Sequence, residues 1–486
     1  MNKKRKGLIT GLFSVLAALF VALMITPAFG AFTAPKTGGV KVEGLQPGDQ
    51  VTLYKFIETD FDGKNNISYE PIEGVTLTAE QLMAPGADVK ALIDQHAASI
   101  IQNATVKPSG AVADGATDIE FGNLELGQYL VVVVPNSQNT DLQVYQLSTV
   151  NVEPKIVDGV YQSNDTPATV QLKRSPVTVN KTHGDASKTQ VTGQYGVGEQ
   201  VPFTITATVP LYAQEATNKT FKIVDTLSTG LKFNRASLKV FKGEVPLVKD
   251  TDYKVTIKDQ TVTIDFTDHY VGKFVGGEEV KVTYSATITK DAPMTADGST
   301  TSNTAKLVVS NNPWSTGTYE PSSTTTEKTY GVYFLKKAKQ GDSDQATALK
   351  GATFKLMKKN AEGTYEDYKV DGEVLQMTTQ ADGYVHFEKL GLGEYQLVET
   401  QAPAGFQTIK HGIPITITKD NATGDFPGTA DITETNYLHE SDHTDPKIGK
   451  LPVTGGPGTI ALTIAGICLL AGAGSVAMGN KKKENK

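Results

Sequence analysis

Cysteine is almost missing from this chain of 486 residues: the one copy, Cys468, lies in an apolar run near the C-terminus. Disulfides therefore cannot staple the body of the protein. No Gly-x-Ser-x-Gly elbow, phosphate loop or dinucleotide fingerprint occurs, so no motif points to nucleotide binding or to hydrolase chemistry. Helical periodicity is also scarce. Thr78 could cap a short helix at Ala79–Leu82, and the stretch from Asp88 to Ile101 reads as the one substantial helix, a surface insertion. Positive charge is in deficit. Removing the four cations Lys3, Lys4, Arg5 and Lys6, and the net three of the tail Lys481–Lys486, from the chain's −7 leaves −14 between them. That argues against nucleic acid and anionic lipid as main partners.

What the chain has in quantity is short alternating runs rich in Thr and Val. Phe203–Val209, Tyr253–Ile257, Thr261–Phe266 and Val280–Tyr284 each switch between apolar and polar residues with period two. Such runs are strands with one buried face, and their regular spacing predicts antiparallel sandwiches. The stretches Lys173–Pro176 and Pro321–Thr326 read as linkers, and His439–Lys450 as a polar spacer. They divide the body into units at 31–174, 175–328 and 329–446. One segment recurs: Phe121-Gly-Asn-Leu-Glu-Leu-Gly-Gln-Tyr129-Leu-Val131 matches Phe387-Glu-Lys-Leu-Gly-Leu-Gly-Glu-Tyr395-Gln-Leu397. The first and third units are therefore expected to share a fold. Four residues past the tyrosine the copies differ, with Glu399 in one and Val133 in the other.

The two ends carry processing signals. Four cations, the apolar stretch Leu8–Ile25 and small residues at Ala28 and Gly30 make a secretory signal peptide over 1–30, with cleavage after Gly30. An uncleaved anchor would instead leave two membrane tethers. At the other end, Leu451-Pro452-Val453-Thr454-Gly455 precedes an apolar segment from Thr459 to Gly479 and a basic tail. A run of ~20 apolar residues spans a bilayer, and the cations hold its end inside. This order resembles the cell-wall sorting signal of Gram-positive surface proteins. The resemblance implies cutting between Thr454 and Gly455 by a sortase, a cysteine transpeptidase that passes the Thr carbonyl to an amine. The alternative is a plain C-terminal membrane anchor. The exported, sorted chain would be residues 31–454.

Tyr395-Gln-Leu-Val-Glu399-Thr-Gln-Ala-Pro403-Ala-Gly405-Phe406 resembles the E-box of Gram-positive pilins and collagen-adhesin B-type domains, with Phe406 where the pattern has Tyr. In that family a first-strand Lys and a last-strand Asn are joined by an intramolecular isopeptide bond, with the E-box Glu assisting. The resemblance maps these roles onto Lys336, Asn436 and Glu399. Lys337 stays open as the alternative amine, because neighbours on a strand point to opposite faces. The middle unit resembles pilin middle domains through Val177–Lys181, the Asp225 strand Phe221–Leu231 and the strand Thr301–Leu307 around Asn303. This implies a Lys181–Asn303 bond assisted by Asp225. The chemistry needs burial. A desolvated Lys sheds its charge and becomes a nucleophile, while a desolvated carboxyl stays protonated and shuttles protons.

Val150-Asn-Val152-Glu153-Pro154-Lys155 resembles the pilin motif, with Glu153 in place of the usual Tyr and no upstream Trp. The resemblance makes Lys155 the amine that attacks the next subunit's Thr454. Two other matches are weaker. His439-Glu440-Ser-Asp-His443 has the zinc-protease spacing, but that chemistry needs a packed helix and the surroundings are polar. Asp60–Asn66 has a faint likeness to a calcium loop, lacks its closing Glu, and reads as a turn.

The chain thus resembles the major, or shaft, subunit of a sortase-assembled Gram-positive pilus. That implies an all-β chain of three tandem Ig-like sandwich domains of collagen-adhesin type, exported and attached to the cell wall. It implies no enzyme beyond single-turnover cross-linking, no cofactor and no metal. The implied partners are identical subunits, a pilus-class sortase, and the housekeeping sortase with peptidoglycan. Minor pilins and host surface ligands are further candidates. A monomeric wall-anchored adhesin and a minor pilin are the rival readings.

Overall fold

Alternation of buried and solvent-facing residues builds the three units seen in a computed structural model. It describes residues 37–445, apart from 62–66, 159, 163, 185–191, 272, 275, 295–300, 340–345, 407 and 424–436. Strands dominate, and the substantial helix is Val89–Asn103. Asp88 caps it by accepting from the Ala91 amide. Thr78 and Gln81 form the reciprocal capping box of the shorter helix Ala79–Met83. Ile93, Ala97 and Ile100 of the long helix pack against Phe56, Leu130 and Val132. The helix therefore covers the outer face of a sheet and gives the first unit a second core.

The first and third units have the same topology. Thr37–Glu43 pairs antiparallel with Asp118–Glu125 and parallel with Ala168–Gln171. Tyr330–Lys339 likewise pairs antiparallel with Tyr384–Leu390 and parallel with Tyr437–Asp445. The facing sheets also correspond: Gln50–Phe61, Gly127–Val134 and Ser148–Val152 in one, Thr353–Lys359, Gly393–Gln401 and Ile413–Ile417 in the other. The sequence repeat is the corner between sheets. Buried Tyr129 and Tyr395 each donate back to the carbonyl four residues earlier, at Glu125 (2.8 Å) and Gly391 (2.7 Å).

The middle unit stacks the sheet of Val179–His183, Gln200–Val209, Glu278–Ile288 and Leu231–Lys242 on that of Tyr253–Lys258, Thr261–Phe266, Phe221–Leu227 and Thr301–Ser310. Phe203, Ile205, Ile223, Ile264, Val282 and Leu307 meet between them.

Three stretches read as linkers or spacers are strands. Arg174–Pro176 pairs with Gln143–Tyr145, and Ser175 is buried. Ser322–Glu327 pairs with Thr301–Lys306, placing Thr325 opposite Asn303. Tyr437–Asp445, which contains His439 and His443, runs beside Tyr330–Lys339. Composition misled here because Thr is both a linker residue and a β-former, and the Ser-Thr run buries only alternate side chains. The extended backbone at His439–His443 also lacks the helix a zinc-protease motif requires. The faint calcium loop lies in the hairpin joining Phe61 to Ile67, whose residues 62–66 are outside those described.

The middle and third units are joined by backbone bonds. The Val197 amide donates to the Lys389 carbonyl (2.6 Å), and the Leu392 amide to that of Gly193 (2.7 Å). Tyr368 donates to the Val197 carbonyl (2.8 Å), and Lys358 pairs with Glu199 (2.6 Å). Glycine makes this approach possible: a Cβ on Gly391 would lie 2.5 Å from the Gln194 carbonyl oxygen. Gly391→Ala should cost about 1–3 kcal/mol of overpacking. Calorimetry should show a lowered transition, and an unchanged one would mean the contact is loose.

Candidate functional site

In the middle unit four side chains from both sheets converge. Lys181 comes from Val179–His183 and Tyr284 from Glu278–Ile288 in the same sheet. Asp225 comes from Phe221–Leu227 and Asn303 from Thr301–Ser310 in the facing one. All four sit at inward positions of alternating strands and are buried. Lys181 Nζ donates to Asp225 Oδ1 in a short contact and to the Tyr284 hydroxyl at 2.8 Å. The Tyr284 hydroxyl donates to Asp225 Oδ2, also short. Asn303 Nδ2 donates to the same hydroxyl at 2.6 Å. Amine and amide are thus two hydrogen bonds apart at most, through one oxygen. Asn303 Oδ1 has no partner among the described residues. The rings of Phe203 and Tyr284 wall the site, each centroid 5.2 Å from Nζ.

Burial governs the protonation of this cluster. It pushes Lys181 down to about 8, against the opposing pull of the Asp225 charge. It pushes Asp225 up, against Lys181. Burial also raises Tyr284 far above the ordinary phenol value, which keeps it a neutral hydroxyl. Both shifts favour the neutral amine and neutral acid over the ion pair. An Asn303→Ala variant keeps the pair and removes the amide. Between about 8 and the ordinary lysine value of 10.5, its unfolded chain binds a proton that the folded chain has released. Its stability should therefore rise with pH across that window, relative to an Asn303→Ala/Lys181→Met reference. Denaturant midpoints at the two ends of the window check the sign.

In the third unit Lys336 is 0 % exposed, on the same strand face as Phe334 and Ala338. Lys337, the other amine left open by the sequence, is only half-buried. Glu399 lies in the facing sheet, also buried, and accepts from the Ile409 amide at Oε2 (2.6 Å). The rest of the E-box is a turn: the Phe406 amide donates to the Pro403 carbonyl (3.1 Å) and Gly405 has φ 89°. A positive φ at that place asks for Gly. Asn436 lies outside the described residues. The adjoining strand Tyr437–Asp445 sets Tyr437 opposite Gly331 and His443 opposite Lys336.

The equivalent positions of the first unit carry neither reactive group. Phe121 and Phe387, equivalent in the repeat, face Val40 and Val332. Counting on from those valines places Gly44 where the third unit has Lys336. Val133 stands opposite Val51 as Glu399 stands opposite Phe354.

Lys155 is exposed at the start of Lys155–Val157, which pairs with Val160–Gln162 in a two-stranded ribbon. Ile156 beside it is 63 % exposed. Glu153 is half-buried, with its carboxyl raised by burial and its Oε1 3.5 Å from the Tyr69 hydroxyl. The sorting residues Leu451, Pro452, Val453, Thr454 and Gly455 lie outside the described residues, as does the segment 459–479. Among the described residues no helix is long and apolar enough to cross a membrane.

Sequence reasoning missed Tyr284. Its signal was available, since it sits on the inward face of the Val280–Tyr284 alternation, but nothing marked its hydroxyl as different from any core tyrosine.

Comparison with known proteins assigns these parts. The Gram-positive pilin backbone subunit 2, Cna-B-like domain family matches residues 197–313, across Asp225, Tyr284 and Asn303. A prealbumin-like fold domain family matches 335–429, across Lys336 and Glu399. The LPXTG cell wall anchor motif matches 444–486. Its middle domain and its anchor are those of Gram-positive backbone pilins. The chain is 27 % identical over 343 residues to fimbrial subunit type 1 of Actinomyces viscosus, covering 59 % of this chain. It is 27 % identical over 359 residues to fimbrial subunit type 2 of Actinomyces naeslundii, covering 65 % of this chain. The matches span 62 % and 63 % of those two relatives. Its fold is similar to that of the three-domain T6 backbone pilin of Streptococcus pyogenes, with TM-score 0.61 and 20 % identity over 80 % of this chain and 82 % of that one. The anchor motif makes this pilin a surface protein attached to the cell wall.

Proposed function

We propose that this chain is the shaft subunit of a covalent surface pilus. A sortase joins Thr454 of one subunit to Lys155 of the next, and the finished polymer is passed to peptidoglycan. Lys181–Asn303 and Lys336–Asn436 isopeptide bonds, assisted by Asp225 and Glu399, brace the middle and third domains. The observation that carries the reading is the buried cluster of Lys181, Asp225 and Asn303 in a chain whose exported part has no cysteine. Amine, acid and amide are what the reaction consumes and uses. Nζ attacks Cγ of the Asn, the Cγ–Nδ2 bond breaks, and ammonia leaves. Lys155 supports the polymerising role by its exposure, because an enzyme has to reach it.

Intact-mass measurement of the pilin tests the internal bonds. The mass should fall short of the sequence mass by two ammonia molecules, with Lys181–Asn303 and Lys336–Asn436 peptide pairs after digestion. The full sequence mass would sink the cross-linking half of the proposal. A deficit of one ammonia, with only the middle pair recovered, would sink the third-domain assignment.

A further inference from the structure

We propose that Tyr284 is a catalytic residue of the middle-domain cross-link: its hydroxyl carries a proton from the attacking Lys181 amine to the departing nitrogen of Asn303. The inference rests on the cross-linking reading above and adds a group to it. Among the described residues the phenol oxygen is the one atom hydrogen-bonded to both reacting nitrogens, at 2.8 Å from Lys181 Nζ and 2.6 Å from Asn303 Nδ2. Asp225 touches the amine and the phenol, and no bond to the Asn303 amide is made by its oxygens.

The steps balance as follows. The Lys181 ammonium gives one proton to Asp225 Oδ1 across their short contact. The neutral amine attacks Cγ of Asn303, and the carbonyl electrons move to Oδ1. A planar amide nitrogen has no lone pair to accept with, but in the tetrahedral intermediate Nδ2 is an amine and does. The Tyr284 hydroxyl turns from Asp225 to give its proton to Nδ2 and takes one from Nζ. The Cγ–Nδ2 bond breaks, the carbonyl re-forms and ammonia departs. The new amide keeps one hydrogen on Nζ, the phenol is restored, and Asp225 is left protonated. The relay needs a neutral phenol in a water-free site, and Tyr284 is walled by Phe203 and Phe233.

The test is a pulse-chase of the full pilin in its own cells, quenched in denaturant, with the Lys181–Asn303 peptide pair quantified against time. Tyr284→Phe keeps the ring and removes the hydroxyl. It should slow formation of that pair by about a hundredfold, the usual scale for losing a positioned proton donor. The third-domain bond in the same molecules should form at the wild-type rate, which a folding or export defect would not spare. Substitution of 3-fluorotyrosine at 284 preserves packing and a more acidic hydroxyl, and should restore the rate to within about tenfold of wild type. Formation in Tyr284→Phe at the wild-type rate, or fluorotyrosine no faster than Phe, overturns the role of Tyr284 alone. Wild-type protein without the Lys181–Asn303 pair overturns the cross-linking reading itself.

Discussion

In Lys155→Arg cells the high-mass ladder of a detergent-boiled wall extract should collapse to a single monomer band. Boiling in detergent removes every non-covalent contact, so a surviving ladder reports covalent joints. Arg preserves charge and most of the side-chain reach, but its delocalised guanidinium is not a usable nucleophile. Lys155 is surface-exposed on a small ribbon, so the substitution should leave folding intact. The effect is therefore on the joint. A ladder that persists in the variant moves the linking amine to another lysine. A single band in wild-type cells expressing their sortases removes the shaft reading in favour of a monomeric adhesin.

The second large effect concerns the internal bonds. Lys181→Met fills nearly the same volume and cannot form the amide. A bond between positions 181 and 303 closes a loop of more than 100 residues. By the loop-closure argument used for disulfides it contributes about 4–5 kcal/mol. For a domain of this size that is a fall of roughly 10–20 °C in melting temperature. Trypsin should also begin to cut the middle domain, because a closed loop no longer prevents its extension. Calorimetry and a protease time course read both, and the mass should regain one ammonia. A variant that melts within a few degrees of wild type would mean that packing alone stabilises the domain.

Much of this was legible in the residues. The alternation in Phe203–Val209 and Thr261–Phe266 predicted the sandwich strands. The Leu-x-Leu-Gly-x-Tyr repeat predicted that the outer units share a fold, because a buried Tyr bonding back four residues and a tight Gly corner are local demands. Lys181, Asp225 and Asn303 were singled out from separate strands, and the structure brings them to one oxygen. The burial difference between Lys336 and Lys337 was beyond sequence, since a one-residue register shift exchanges the faces of a strand. The Thr-rich segments failed for a different reason: a polar strand on an edge carries too little apolar signal to be told from a linker. Tyr284 was missed because what sets it apart is three cross-strand hydrogen-bond partners, none of them near it in sequence.

The first unit's missing reactive pair, Gly44 and Val133 where the third unit has Lys336 and Glu399, has a mechanical meaning. With Lys155 as the joint, tension enters each subunit at residue 155 and leaves at 454. Everything upstream of Lys155, which is most of the first unit, hangs as a side branch that no pull traverses. Under the proposed cross-links, the two bolted domains are the two through which the load runs. On the loaded side, the edge strand Ala168–Gln171, the junction strand Arg174–Pro176, the Val177 amide on the Leu142 carbonyl and the Tyr319 hydroxyl on the Gln143 carbonyl tie that branch to the line of force. A shaft under strain should therefore shed the fold of its side lobe before it lengthens.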